Sequence, residues 1–407
     1  MVINPKHYSI KGEMVRFYLS FFGILCLTNL PGQIKTGYTA VKGMSDSLSY
    51  RVEPAPEWTG LFYRKSGWFG GDGIFSIPLD GRDVYDPARE VLFIFSDTYV
   101  GEVVDNKPVG DTMVNNSTAI FKGATAGPEN MTFVINKDAS GHPVSFFQPK
   151  DAAENGTYFW LGDGFVNREL EGKMYIFAYH IRKTGENVFD FEEVDVSILV
   201  LPPESRPPFK KYDIIETPFH LDLPSIGSGS LGAGIFVNTS WSGAAFPDGY
   251  IYIYGCIGQE KNLVAARVKA GDFEKIEQWE YYTGTKWSQN IGDINAITNS
   301  VSNELSLTPL NDGRYLLTFQ VLGISDKVGI RIATTPVGPF SEIQEIYRTP
   351  EIDENLLPYN AKAHPAISRP GELLISYNTI TFDFWNDIKK DAHIYRPRFI
   401  RLILDTE

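Results

Sequence analysis

The chain has 407 residues, 43% hydrophobic and 21% charged, the composition of a folded globular protein, which excludes disorder as a global description. Acidic residues outnumber basic ones and the net charge is −13, which argues against nucleic acid or an anionic membrane as the main partner, because both require clustered Lys and Arg. Two cysteines cannot make a disulfide scaffold, and six histidines without HxxxH or paired-Cys spacing speak against a dedicated zinc site.

In chain order, Arg16 precedes a short apolar run, Phe17 to Leu30, that reads as a secretory signal peptide over residues 1–32. The mature chain is then 33–407, a single domain, secreted or periplasmic and monomeric, with no membrane-spanning segment. A lipoprotein anchor at Cys26 is disfavoured by the bulky Leu25 before it, and a buried N-terminal helix is the other reading of the run. With Cys26 removed, Cys256 remains as a buried packing residue. Strand-like runs follow at 91–99, 173–181, 250–257, 314–322 and 372–380, rich in β-branched and aromatic residues and mostly flanked by Gly, Pro, Asn or Asp. Residues 272–280 suit one short helix.

A small-residue segment precedes each run. Phe69-Gly-Gly-Asp72-Gly-Ile-Phe75 aligns without a gap with Trp160-Leu-Gly-Asp163-Gly-Phe-Val166, and Gly232-Ala233-Gly-Ile-Phe236 repeats the pattern without the Asp. Weaker copies centre on Glu304 and His364, giving spacings of 91, 70, 71 and 60 residues. Such repeats predict an all-β, five-bladed β-propeller with about four antiparallel strands per blade, the final blade completed by residues near Tyr50 to Pro56. Two β-sandwiches are the competing architecture, but no linker or composition shift divides the chain.

In a propeller the inner strands crowd the axis, which favours Gly and Ala there. Side chains at the repeat centres would converge at one mouth of the channel. Asp72, Asp163 and Glu304 are then the candidate carboxylates, with Asp97 in Phe-Ser-Asp-Thr-Tyr a fourth. Glycoside hydrolysis needs such a set: one carboxyl protonates the leaving oxygen, another acts as base or nucleophile, and a third tunes the first. Each has a plainer role. An Asp between glycines caps its own turn, as does Asp97, and Glu304 can be a solvated strand residue. Trp68, Trp160 and Trp241 suit sugar faces or core packing. Asn116 and Asn299 suit sugar hydroxyls or turns, Lys362 a carboxylate partner or a blade edge, and His364 the site or the core. An acidic axial channel suits a Ca2+ ion without a spacing signature of its own; no other cofactor is expected.

Gly-Gly-Asp-Gly-Ile-Phe-Ser-Ile-Pro-Leu, Leu-Phe-Ile-Phe-Ser-Asp-Thr-Tyr-Val-Gly-Glu, Trp-Leu-Gly-Asp-Gly-Phe, Ala-Lys-Ala-His-Pro-Ala-Ile-Ser and the closing Tyr-Arg-Pro-Arg-Phe-Ile-Arg-Leu resemble secreted bacterial five-bladed propellers of the domain-of-unknown-function families 4185 and 5005. These are similar in architecture to glycoside hydrolase families 43, 32 and 117. The resemblance implies a furanosidase-like or related glycosidase with a carbohydrate substrate. The 4185-type pattern implies Asp72 and Asp97 as acids; the family 43 and 32 pattern implies Asp72, Asp163 and Glu304. The two agree on Asp72. A propeller that binds carbohydrate without cleaving it is the alternative function, and a propeller that docks a protein partner is a third.

Overall fold

The computed structural model describes residues 48–150 and 152–405; the expected signal peptide and Cys26 lie outside them. The strands form antiparallel sheets taken up in chain order. The first sheet holds Phe75–Pro78, Val91–Phe95, Ser117–Phe121 and Met131–Val134. The second holds Thr157–Asn167, Lys173–Lys183, Phe191–Leu201 and Asp213–Glu216. The third is built on Gly227–Asn238, Tyr250–Ile257, Asn262–Lys269 and Glu280–Tyr282, and is widened by His220–Leu223 and Trp287–Ser288. The fourth holds Leu305–Pro309, Tyr315–Gln320, Lys327–Ala333 and Gln344–Arg348. The fifth combines Leu357–Ala363, Glu372–Ile380 and Arg398–Leu404 with Tyr50–Pro54 from the other end of the chain. The N-terminal segment thus completes the last sheet, pairing Tyr50 with Leu404 and Pro54 with Ile400.

The repeat predicts five sheets, and among the described residues there are six. The additional one has three strands, Ser66–Gly71, Thr98–Val104 and Lys107–Val114. It continues the first sheet past a break at 72–74 and 96–97, so the run at 91–99 is two strands. The helix expected over 272–280 is also absent; two single 3-10 turns, Ala270–Asp272 and Ile276–Gln278, stand there.

The first strands of the five larger sheets pack against one another in chain order, and Pro365–Ile367 brings the last back to Phe75–Pro78. This ring of sheets about one axis is a β-propeller. Its core lies between neighbouring sheets. Ile77 and Leu92 meet Phe159 and Ile176; Phe177 and Val196 meet Leu231 and Ile253. Tyr254 shares a cluster with Leu305 and Val328 with Ile375, and Phe93 and Phe399 both pack on Phe62. A strand sandwiched this way is apolar on both faces, so Val91–Phe95 is buried at every position and reads as an unbroken apolar run rather than an alternation. Cys256 is free and buried in the interface of the third and fourth sheets.

Candidate active site

The break in the first unit builds the site. Both strands of its hairpin stop at one level, where Asp72 N–H donates to the Asp97 carbonyl (3.3 Å) and Ser96 N–H to the Asp72 carbonyl (2.8 Å). Gly73 makes the break sterically feasible: its φ is +63°, and a Cβ there would lie 2.6 Å from Ser96 Oγ. Asp72 and Asp97 are thereby set side by side at the channel mouth. Both are enclosed by protein yet keep partial contact with solvent.

Further bulges bring in the remaining side chains. Register shifts interrupt the inner strands at 161–164, 231–234 and 359–362. Each inserts residues that the neighbouring strand does not match, which re-aims side chains. In the fifth sheet Asn360 takes φ +57°, and three near-consecutive side chains reach carboxylates. Tyr359 Oη donates to Asp72 Oδ2 (2.7 Å), Asn360 Nδ2 donates to Glu304 Oε1 (2.8 Å), and Lys362 Nζ pairs with Glu304 Oε2.

The two aspartates have different electrostatics. Burial pushes the Asp72 carboxyl up to about 8, and the negative charges of Asp97 and Glu304 push the same way; the hydroxyls of Tyr359 and Tyr395 offset part of this. Its Oδ1 is buried with no hydrogen-bond partner. Burial also raises Asp97, to about 6, but Asn115 Nδ2 donates to its Oδ1 (3.1 Å), and the indole of Trp160 and the charge of Lys183 favour the ionised form. Burial thus favours the protonated form of both, and the favourable partners of Asp97 make the effect stronger at Asp72. Tyr158, Tyr359 and Tyr395 stay protonated, held up chiefly by burial and by the carboxylates around them.

The other residues singled out from the sequence divide between this mouth and the scaffold. Trp160 lies beside Asp97. Glu304 faces the mouth but is neutralised by Lys362, itself only 2% exposed. Asp163 corrects the expectation that the two Gly-Asp-Gly copies are equivalent. It lies within the continuous strand Thr157–Asn167, where its carboxylate accepts from its neighbour Gly164 N (2.8 Å) and from Ile235 N (2.7 Å) of the third sheet. Burial raises it to about 7, and it lines a channel cavity of about 50 Å3 shared with Ser76, Lys362 and His364, apart from Asp72 and Asp97.

His364 is a joint of the ring. It is fully buried, with Nδ1 on Ser76 Oγ (2.9 Å) and Nε2 on Ser376 Oγ (2.7 Å), and burial depresses it to about 3, so it is neutral. Trp68, open to a sugar face or to core packing, is fully buried between Phe62, Phe95 and Phe133 because it falls on the core side of its strand. Asn116 is also fully buried; its amide bridges the first two sheets through the Phe147 backbone and the Phe159 carbonyl. Trp241 packs against the core of the second and third sheets, and its Nε1 donates to Glu169 (3.3 Å). Asn299 is engaged locally, its side chain accepting from Ser300 Oγ and its carbonyl from Arg331.

Tyr359, Tyr395 and Lys183 are the residues that sequence reasoning missed. Tyr359 carries a signal, since it stands two residues before the small-residue segment that centres on His364. Tyr395 lies in the connection before the last strand and Lys183 closes the strand Lys173–Lys183, and no repeat marks either. Among the described residues, no group of three or more His, Cys, Asp or Glu side chains is arranged to hold a metal ion. A cavity of about 400 Å3 lies elsewhere, lined by Trp58, Tyr85, Arg369 and Arg401, so volume alone does not mark the mouth.

Residues 56–404 match the profile of the domain of unknown function DUF5005. The chain belongs to this family. No curated protein matches the DUF5005 chain in sequence. Among solved structures it is similar to a "putative hydrolase" from Bacteroides ovatus, with TM-score 0.65 and 19% identity over 91% of this chain and 97% of that one. At that identity the likeness is one of fold. More distant similarities are to an exo-β-1,3-galactanase from Phanerochaete chrysosporium (TM-score 0.44, 9% identity, 82% of this chain and 60% of that one) and to a GH43_1 enzyme from Xanthomonas citri complexed with xylose (TM-score 0.43, 11% identity, 85% and 92%).

Proposed function

We propose that the protein is a secreted glycoside hydrolase, furanosidase-like, acting at the mouth of a propeller in which the five larger sheets are the blades and the three-stranded sheet is an extension of the first. The observation that carries this reading is the Asp72–Asp97 pair. Two adjacent carboxyls are held at about 8 and about 6, so a proton donor and an ionised carboxylate coexist at neutral pH. Asp72 gives its proton to the bridging oxygen as the bond from that oxygen to the anomeric carbon breaks. Asp97 either takes a proton from the attacking water or attacks the anomeric carbon itself. In sum, water adds its hydroxyl to that carbon and a proton to the leaving oxygen. Tyr359 positions Asp72, and Asn115 with Trp160 keeps Asp97 charged. Trp160 and Tyr158 offer ring surface to a sugar.

A carbohydrate-binding propeller without catalysis would hold each acid in an ion pair. Glu304 is so held, whereas Asp72 accepts from tyrosine hydroxyls and has one oxygen unpartnered. The test is hydrolysis of aryl furanosides, aryl pyranosides and polysaccharides by the protein beside Asp72→Asn. Release of sugar by the wild type and none by the variant supports the reading. Retention by a polysaccharide gel with no release from any substrate replaces it with the binding propeller.

A further inference from the structure

Two long connections and a shorter one rise on the mouth side, and they belong to neighbouring parts of the ring. The first sheet continues as the hairpin of Thr98–Val104 and Lys107–Val114; the second sheet contributes 184–190 and the fifth contributes 381–397. They are tied to one another. Ala392 N donates to the Asn106 carbonyl (2.8 Å), and His393 Nε2 pairs with Asn106 Oδ1 (2.9 Å). Phe189 and Phe382 meet edge to face with centroids 6.2 Å apart, and Lys183 Nζ stands 5.6 Å from the centre of the Trp385 ring. An apolar cluster that includes Phe69, Tyr99, Phe384 and Tyr395 is buried among these connections. The corresponding connections of the third and fourth sheets are the short turns 258–261 and 321–326. The wall is built on the side of Asp72 and Asp97: Gly71 N–H, beside Asp72, donates to the Tyr395 carbonyl (3.1 Å), and the charge of Lys183 acts on Asp97.

We propose that this wall blocks the site beyond the two aspartates, so that it accepts the terminus of a glycan chain and removes the terminal sugar, rather than cutting within the chain. A polymer threaded through the site needs open passage on both sides of the scissile bond; a wall fastened across three sheets leaves it on one. Trp385 supplies the recognition expected at a blocked end. Its indole N–H is buried without a hydrogen-bond partner, and its ring borders Lys183, which acts on Asp97. The accessible part of that ring suits packing against a sugar face. This inference rests on the hydrolase reading, and its test separates the two.

Binding to Asp72→Asn protein is measured for arabinan, xylan and galactan and for short oligosaccharides of each. Affinity that scales with the concentration of chain ends supports the proposal; affinity that scales with total sugar residues overturns it and leaves the hydrolase reading standing. Trp385→Ala is expected to weaken chain-end binding about tenfold, and Lys183→Ala, at an exposed position, gives a second comparison less exposed to folding defects. Unchanged end binding in both variants removes the wall from recognition and overturns the proposal. With wild-type protein, single sugars accumulating without a fall in viscosity support it, and early fragments of mixed length overturn it. End binding without hydrolysis sinks the hydrolase reading alone. Absence of binding to any of the three glycans overturns both.

Discussion

Two sets of polar groups share the channel axis, and they are stabilised in opposite ways. Deeper in the channel, Asp163 is met by two backbone N–H groups and His364 by two serine hydroxyls; Glu304, which faces the mouth, is met by Lys362 and Asn360. At the mouth, the main partners of Asp72 are tyrosine hydroxyls, one of its oxygens is unpartnered, and its neighbours repel it. Burial is common to both sets; compensation is not. Groups that are compensated hold sheets together, and groups that are not keep a free-energy difference between protonation states that chemistry can use.

That contrast can be broken or sharpened by substitution. The largest effect is expected from Asp72→Asn, which removes the proton donor and should lower kcat/KM about 10²- to 10⁴-fold with the fold retained. Its stability should move the other way. A carboxyl raised in the folded state stabilises fully below its unfolded value of 3.8 and loses that contribution as pH rises towards about 8. Asn carries no such loss, so the unfolding midpoint of the variant at pH 8 should equal or exceed that of the wild type. Lys362→Met should instead cost stability, by about 3–5 kcal/mol in denaturant unfolding, because Glu304 is left charged and unpaired; adding Glu304→Gln should recover most of it. Asp163→Ala strands two backbone donors and should cost about 1–3 kcal/mol for each, with little change in turnover by the protein that folds. The pH profile of kcat/KM should be bell-shaped, rising through about 6 as Asp97 ionises and falling through about 8 as Asp72 loses its proton. The smallest effect is expected from Tyr359→Phe. Losing one donor to the Asp72 carboxylate should carry the alkaline limb upward by about one pH unit, and a limb that stays in place would show that the hydroxyl does not act on the acid.

The sheets were legible because their strands are buried on both faces and stand out as apolar runs between Gly, Pro, Asn and Asp. The sixth sheet was not, because Asp97 in the run 91–99 reads equally as a turn cap or a site residue, and the interruption also requires Asp72-Gly73 on the opposing strand. The same limit misplaced Asp163. A Gly-Asp-Gly tripeptide can interrupt a strand or ride on a bulge within it, and the choice depends on the partner strand, which is distant in sequence. Asp72 and Asp97 could be read from local motifs. Tyr395 and Lys183 reach them from other sheets, and only the closed ring brings those together. For Trp68 and Asn116 site and scaffold both stayed open, because nearness in sequence to an inner segment does not say which face of the strand a side chain occupies.

The strand Tyr50–Pro54 beside Arg398–Leu404 has one more consequence. Asp405 N donates to the Ser49 carbonyl (3.0 Å), so the two ends of the described chain touch. A short peptide could join them, and the chain could be opened instead in a solvent-facing turn such as 258–261 while the ring stays whole. The molecule is in that sense a cyclic object with a movable seam, suited to being inserted into a loop of another protein or having one inserted into its own.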